Sequence, residues 1–251
     1  MAEPMMEIRA LRKSFGGVVA TDDLTLDVGA GELHAVIGPN GAGKTTLISQ
    51  LSGALMPDSG TIRFDGRDIT RMPPYARSRR GLARSFQITS IFPEFTALDN
   101  VALAVQAHDG HSFSFFRDVR REARLRDPAR AALARVGLEA RAEVTARYMS
   151  HGEHRQLEIA MALATNPKML LLDEPMAGMG PEESGLMVDI LKGLKGEQTI
   201  LLIEHDMDAV FRLADRITVL VYGRAIASGA PEEIRASAEV RHAYLGEDET
   251  V

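Results

Sequence analysis

Gly38-Pro39-Asn40-Gly41-Ala42-Gly43-Lys44-Thr45-Thr46 is the stretch that decides the fold of this chain. An apolar run, 33–37, precedes it, and a helix-like segment, 44–51, follows it. The glycines let the backbone form a concave loop whose N–H groups point at an anion without a Cβ in the way. A strand, a glycine-rich loop and a helix in this order predict a nucleotide-triphosphate site.

The end of this loop carries the side chains that would hold a triphosphate. Lys44 would reach the β- and γ-phosphates as a point charge, and the Thr45 hydroxyl would be one ligand of Mg²⁺. A helix that begins near Lys44 adds the positive end of its dipole. The alternative is a glycine-rich turn that happens to precede a helix, but the Lys-Thr pair stands where a phosphate loop requires it.

Length and composition limit the class of protein to which this chain can belong. The chain has 251 residues, a net charge of −6 and no cysteine. This length predicts one large domain, or a domain with an inserted lobe. The acidic balance argues against a protein built to neutralise nucleic-acid phosphates. The acidic first residues, and the lack of any apolar run of about 20 residues, favour a cytosolic protein that does not span a membrane.

A second candidate site follows the apolar run 169–172. Asp173 and Glu174 end this predicted strand, and Pro175 stops it. Because α/β folds bind ligands at the carboxyl ends of their strands, the two acids are expected beside the phosphates. Asp173 suits the outer Mg²⁺ shell, and Glu174 would polarise the attacking water. The alternative is a pair of carboxylates at the start of the next helix.

The order of the elements predicts an α/β fold with a mostly parallel core sheet and an antiparallel β flank. Strands are predicted at 7–11, 24–28, 33–37, 61–64, 169–173, 199–203 and 217–221, and helices at 44–52, 181–194 and 207–214. From about residue 98 to residue 164 helix formers dominate. This composition predicts a helical lobe inserted into the core.

A basic cluster falls within fourteen residues and comprises Arg71, Arg77, Arg79, Arg80 and Arg84. Pro73 and Pro74 between its first two members would open a short helix. One interpretation is a solvated helix face. The other is contact with a membrane partner or with anionic lipid.

Three further segments make the prediction more specific. Gln87 follows Arg84-Ser85-Phe86, the segment Met149-Ser150-His151-Gly152-Glu153-His154-Arg155-Gln156 opens a helix, and His205 ends an apolar strand. With the phosphate loop and the acid pair, in this order and spacing, they resemble the ATP-binding cassette of ABC transporters over nearly the whole chain. A single one of these segments would be weak support, so the resemblance depends on all five motifs together.

The resemblance implies a role for each motif and implies ATP and Mg²⁺ as ligands. The implied nucleotide-binding residues are Phe15, which would stack on adenine, and the Walker A loop Gly38, Pro39, Asn40, Gly41, Ala42, Gly43, Lys44, Thr45 and Thr46. The implied catalytic residues are Glu174, His205 and Gln87, and the implied metal ligands are Thr45, Gln87 and Asp173. The signature residues Ser150, His151, Gly152 and Glu153 would face the γ-phosphate held by an opposite subunit.

The resemblance also implies an organisation and a set of partners. The cassette would span 5–247, with a core of 5–90 and 165–230, an inserted helical subdomain at about 91–164 and a helical tail at about 231–251. ATP would close a nucleotide-sandwich dimer, and hydrolysis would reopen it. The implied partners are transmembrane permease subunits, a second cassette of the same or another kind and, indirectly, a periplasmic solute-binding protein; no nucleic acid is expected. The implied location is peripheral, at the cytoplasmic face of the inner membrane.

Several segments resemble the bacterial branched-chain amino acid uptake branch, among them Ala177-Gly178-Met179-Gly180-Pro181 and the ending Ala243-Tyr244-Leu245-Gly246-Glu247. Cassettes for urea or short amides and for lipopolysaccharide export are similar. A soluble ABC ATPase acting on ribosomes or DNA, and a non-hydrolysing nucleotide-binding regulator, are further alternatives. The signature departs from Leu-Ser-Gly-Gly-Gln-Gln, and Gly180 stands where many cassettes carry an aspartate. These departures bear on communication between paired sites rather than on hydrolysis.

Overall fold

The computed structural model describes residues 3–84, 91–109 and 122–245. The chain divides into two compact units. The first comprises Met1–Arg77, Leu171–Glu174 and Lys195–Val251, and the second comprises Ser78–Leu170 and Pro175–Leu194. The predicted tail, 231–251, is described as far as Leu245.

The larger of the two described sheets is built from continuous apolar runs. Strands β3 (Leu33–Ile37), β7 (Met169–Asp173) and β8 (Thr199–Ile203) are buried at every residue, the pattern of strands covered on both faces. β3 pairs in parallel with β8 on one side and with β9 (Arg216–Val221) on the other. An antiparallel edge strand that the sequence analysis did not predict, β10 (Arg224–Gly229), continues the sheet beyond β9.

A second sheet of the first unit is antiparallel and has the order β2-β1-β4-β5. Its strands are β1 (Met6–Phe15), β2 (Val18–Val28), β4 (Ser59–Phe64) and β5 (Arg67–Asp68). In β1 and β4 burial largely alternates along the chain, as expected for a sheet with one covered face. The predicted parallel core and antiparallel flank are therefore both confirmed.

Four described helices lie entirely within the first unit: α1 (Lys44–Ser52), α7 (Met207–Leu213), α8 (Pro231–Ala236) and α9 (Ala238–Leu245). α1 has the predicted bounds. α7 ends one residue before the predicted end, because the backbone of Ala214 is extended. A short helix, α2 (Pro74–Ser78), opens at Pro74 and ends where the second unit begins.

The second unit is mainly helical. Its helices are α3 (Ala97–Asp109), α4 (Ala123–Arg135), α5 (His151–Leu163) and α6 (Pro181–Leu194), with 3₁₀ turns at Glu139–Arg141 and Ala146–Tyr148. α3 packs against α4 and α5 around fully buried side chains such as Leu133 and Leu157. The short strand β6 (Leu82–Arg84) runs beside the beginning of β7, where the N–H of Met169 donates to the Gly81 carbonyl. Within the described ranges, no helix is long and apolar enough to cross a bilayer.

Candidate active site

The glycine-rich loop passes between two backbone segments that leave no room for side chains. A Cβ at Gly38 would lie 2.1 Å from the Leu220 carbonyl oxygen, and one at Gly43 would lie 2.1 Å from that of Ala20. Gly43 also has a φ of 102°, in the left-handed region that favours glycine. The loop is fixed further by the N–H of Gly223, which donates to the Ala42 carbonyl (2.9 Å). Its concave shape is therefore held by the strands around it.

Lys44, the first residue of α1, turns back towards this loop. Its buried side chain donates from Nζ to the carbonyls of Gly38 (2.5 Å) and Pro39 (3.1 Å). Burial lowers the pKa of Lys44, while the charges of Glu174 and Asp173 raise it in part. The ammonium thus shares one site with both acids of the predicted Walker B pair.

The acid pair is held at the carboxyl end of β7, beside β8. Asp173 is a buried residue, whereas the Glu174 side chain is 41% exposed. The N–H of Glu174 donates to the Ile203 carbonyl (2.9 Å). Glu174 adopts a φ of 49°, a left-handed conformation that costs a non-glycine residue about 1–2 kcal/mol. Such strain persists where the surroundings fix the backbone.

His205 follows β8 and reaches the same edge of the sheet. Its Nδ1 lies 4.0 Å from Oε1 of Glu174 and 3.7 Å from Oε2 of the fully buried Glu204. The N–H of His205 also donates to Oε2 of Glu204 (3.1 Å). The imidazole is 63% exposed, so it remains accessible to a ligand. The first unit therefore brings Lys44, Asp173, Glu174 and His205 together, as the sequence analysis predicts.

Two further predicted nucleotide-binding residues are accessible from solvent. Thr45 is exposed at the start of α1. Phe15, the last residue of β1, is 50% exposed, and the Lys13 ammonium lies 5.7 Å from the centre of its ring. An exposed aromatic face at the end of a hairpin suits stacking on a planar base.

The signature segment forms the beginning of α5 in the second unit. Ser150 is the N-cap: its hydroxyl accepts from the N–H of Glu153 (3.2 Å), whose carboxylate accepts from the N–H of Ser150 (2.8 Å). This capping box fixes the serine at the positive end of the helix dipole. His151 is exposed, and its Nε2 lies 3.1 Å from the carbonyl oxygen of Ala177. Gly152 is buried.

The Glu153 carboxylate is held by Arg141 as well as by the backbone. Arg141 Nε donates to Oε1 of Glu153 (2.7 Å). Burial by itself would raise the pKa of Glu153, but the hydrogen bonds from Arg141 and from the N–H of Ser150 outweigh it and lower that pKa. Glu153 is therefore engaged in holding the helix start. Gln87, the predicted Q-loop residue, lies outside the described residues.

Comparison with known families shows where the sequence of this chain is similar to theirs. The family model described as "ABC transporter" matches residues 21–177, which include the phosphate loop, the acid pair and the capped helix. The chain belongs to the ABC transporter family. A second family model, described as "Branched-chain amino acid ATP-binding cassette transporter", matches residues 226–250 of the cassette.

Individual proteins are similar to the cassette over almost its full length. The high-affinity branched-chain amino acid transport ATP-binding protein BraF of Pseudomonas aeruginosa is 38% identical over 256 residues, covering 98% of the cassette and 100% of that relative. The lipopolysaccharide export system ATP-binding protein LptB of Escherichia coli is 35% identical over 239 residues, covering 95% of each. The crystal structure of the ADP conformation of another ATP-binding cassette of an ABC transporter is similar with a TM-score of 0.86 and 30% identity, covering 98% and 100% of the two chains.

For one member of the basic cluster, both interpretations are wrong. Arg77 is 1% exposed and lies neither on a solvated face nor on a surface open to lipid. Its guanidinium donates to four backbone carbonyls, those of Gln50 (2.7 Å), Leu51 (2.7 Å), Thr70 (3.0 Å) and Met72 (2.8 Å). Burial lowers the pKa of Arg77 to about 10. The residue caps the carboxyl end of α1, and no local sequence signal reveals it because two of its acceptors lie 26 and 27 residues away.

Proposed function

We propose that this cassette is the ATP-hydrolysing, energy-coupling subunit of a membrane importer for branched-chain amino acids. The substrate class is supported by the match of residues 226–250 and by the full-length similarity to BraF. The ATPase activity is supported above all by one observation: Lys44 Nζ lies against the phosphate-loop carbonyls of Gly38 and Pro39, and the acid pair that influences its pKa has Glu174 4.0 Å from His205. A cation for phosphates and two acids for hydrolysis therefore belong to one site.

ATP would bind with its phosphates in the loop and its adenine against Phe15. Lys44 would then exchange the carbonyls of Gly38 and Pro39 for β- and γ-phosphate oxygens. This exchange is favourable because a charged acceptor replaces two neutral ones for an ammonium that is already desolvated. The N–H groups of the loop and of the first turn of α1, which includes Thr46, would complete the cradle.

The chemistry of the nearby donors fits Mg²⁺. Thr45 offers an exposed hydroxyl and Asp173 a buried carboxylate beside Lys44, and oxygen donors of this kind are those that Mg²⁺ prefers. Gln87 is proposed as a further ligand. When bound, Mg²⁺ would neutralise negative charge on the β- and γ-phosphates.

For hydrolysis, the partly exposed Glu174 would accept a proton from the attacking water, and His205 would donate to the γ-phosphate. Ser150 and Gly152 would approach that phosphate from an opposite cassette. ATP would thereby bind the closed pair better than the open one, and loss of the shared phosphate would reopen it. Moving such a pair from 1:99 to 99:1 requires about 5.5 kcal/mol of differential binding, a magnitude that charge-assisted contacts to two triphosphates supply.

The proposed complex contains permease subunits and a second cassette, identical or related, and works with a periplasmic solute-binding protein. Its cassettes would sit at the cytoplasmic face of the inner membrane. Within the chain, the helical region at about 91–164 would act as a subdomain that transmits closure to the permease. The core at 5–90 and 165–230 would hold the nucleotide, and 231–251 would form a tail.

The test is reconstitution of the cassette with its permease and solute-binding subunits in vesicles. Leucine, isoleucine or valine should stimulate phosphate release. Glu174→Gln should retain ATP while turnover falls by at least about a hundredfold, the lower range for loss of a general base. Asp189→Asn, which removes an exposed acid of α6, serves as the matched control and should behave like the unchanged protein. ATP binding without phosphate release by the unchanged complex would favour a nucleotide-binding regulator instead.

A second candidate function is lipopolysaccharide export, which the 35% identity to LptB supports. Stimulation of the complex by lipopolysaccharide and not by any amino acid or urea would select it. Stable association with ribosomes or DNA, in preference to detergent-solubilised permease subunits, would contradict the transporter proposal altogether.

A further inference from the structure

A carboxylate from α6 occupies the face of the signature segment that the proposed function assigns to a phosphate. Oε1 of Glu183 accepts a hydrogen bond from the Ser150 hydroxyl at 3.3 Å. A Cβ built on Gly152 would lie 2.6 Å from the same oxygen and 2.8 Å from Cδ of Glu183. The carboxylate therefore lies directly over the glycine as well as beside the serine.

The Ser150 hydroxyl has only one proton to donate. Its oxygen already accepts from the N–H of Glu153, so the hydroxyl proton is what remains for an outside acceptor. In this structure the hydroxyl donates that proton in a hydrogen bond to Oε1 of Glu183. An oxygen–oxygen distance of 3.3 Å is long compared with the usual 2.7–2.8 Å, so the bond is weak and readily exchanged.

The two carboxylates beside Ser150 differ in charge compensation. Glu153 is paired with Arg141, whose Nε lies 2.7 Å from Oε1. Across the part of the second unit that the structure describes, no lysine, arginine or histidine forms an ion pair with Glu183. Its charge is offset by the Ser150 hydroxyl and by the N-terminal ends of α5 and α6, and it would repel a γ-phosphate that approaches the same place.

We propose that Glu183 is a competing acceptor at the signature site. It accepts the hydrogen bond from the Ser150 hydroxyl and places a negative charge over Gly152 until a γ-phosphate displaces it. Glu183 thereby sets the ATP concentration at which paired cassettes close. This inference rests on the proposed function, because it requires Ser150 and Gly152 to meet a γ-phosphate.

The experiment uses the full chain, co-purified with its permease subunits and any partner cassette, in the Glu174→Gln background that retains ATP. The quantity measured is the MgATP concentration that gives half-maximal retention of labelled ATP. Glu183→Gln removes the charge at nearly constant shape, and Glu183→Ala removes the acceptor too. Glu182→Gln is the matched control, because Glu182 is the exposed neighbouring acid in the same first turn of α6.

Both Glu183 variants should lower the half-maximal MgATP concentration by about fivefold, the size expected for one repelling charge in a partly screened site. The Glu182 control should change it by less than about twofold, as expected for an exposed charge. Because the effect is electrostatic, the difference between Glu183→Gln and the parent should shrink as salt is raised to about 0.5 M. With Glu174 intact, Glu183→Gln should lower KM for ATP and leave kcat nearly unchanged.

An unchanged or higher ATP requirement in Glu183→Gln and Glu183→Ala would overturn the inference, since a purely structural Glu183 would weaken closure when lost. An equal effect of Glu182→Gln would also overturn it, because the cause would then be the general charge of α6. Failure of the parent and of every variant to retain ATP would instead overturn the proposed sandwich mechanism.

Discussion

Replacement of Arg77 by methionine should destabilise the first unit without altering any residue of the proposed nucleotide site. The guanidinium ties the last carbonyls of α1, at Gln50 and Leu51, to those of Thr70 and Met72. Methionine fills much of the same volume but donates no hydrogen bond. Arg77→Met would thus leave four backbone acceptors without their buried donor, including two at the end of the helix that begins at Lys44.

The magnitude follows from the hydrogen bonds that are lost. A hydrogen bond from a charged donor contributes about 1.5–3 kcal/mol net of desolvation, so four contribute about 6 kcal/mol at the lower value. The lower value applies because burial disfavours the charged guanidinium and lowers the pKa of Arg77 to about 10. The Gln50 carbonyl also keeps a second donor, the N–H of Gly53. The expected loss in the free energy of unfolding is therefore about 3–6 kcal/mol, or a fall in Tm of at least about 6 °C for a chain of this size.

Urea and thermal unfolding of the full chain, followed by circular dichroism, measure this loss. Arg79→Met is the matched control, because Arg79 belongs to the same basic cluster but is exposed; its effect should stay within about 0.5 kcal/mol. Arg77→Lys should fall between the two, since one ammonium cannot reach four carbonyls. A loss in Arg77→Met no larger than that in Arg79→Met would refute the reasoning.

Three further changes test the site. Lys44→Ala should weaken ATP binding at least about tenfold in calorimetry, because the phosphates lose a buried cation; unchanged affinity would contradict this. Gly38→Ala should lower the free energy of unfolding by at least about 2 kcal/mol, since its Cβ meets a carbonyl, whereas Gly180→Ala, with open space, should change it by less than about 0.5 kcal/mol. Burial alone would raise the pKa of Glu153, but its hydrogen bonds, foremost that from Arg141, lower it below 4.5. The ionised Glu153 carboxylate therefore contributes to stability above pH 4.5, and this contribution is lost as the pH falls through the lower folded-state pKa. The urea midpoint should fall over the same pH range, and Arg141→Met should make that fall smaller.

The core of the fold could be predicted where burial produces continuous apolar runs. The strands at 33–37, 169–173 and 199–203 have their predicted bounds because all their residues are covered. β10 was missed because an edge strand of small and polar residues gives no apolar run. β1 and β2 extend well beyond their predicted bounds, since the hairpin that joins them continues with exposed residues whose pairing no hydrophobic pattern reveals.

The candidate site likewise has a part that could be predicted from the sequence and a part that could not. Lys44, Asp173, Glu174 and His205 could be identified from sequence because each stands at the end of a recognisable strand or at the start of a helix. Their mutual placement is a property of the parallel sheet, which brings the carboxyl ends of β3, β7 and β8 to one edge. The contact between Glu183 and Ser150 spans 33 residues and uses a single side chain, so nothing in the local sequence signals it.

The left-handed backbone of Glu174 has a consequence for attempts to stabilise this protein. Glycine, or to a lesser extent asparagine, would adopt that conformation at lower cost than glutamate, by about 1 kcal/mol. Selection of a variant library for heat resistance alone would therefore favour variants that have lost the carboxylate at position 174. With Glu174 in its proposed role, the selected variants would be more stable chains that bind nucleotide but no longer hydrolyse it, so a screen for stable variants must measure phosphate release alongside the melting temperature.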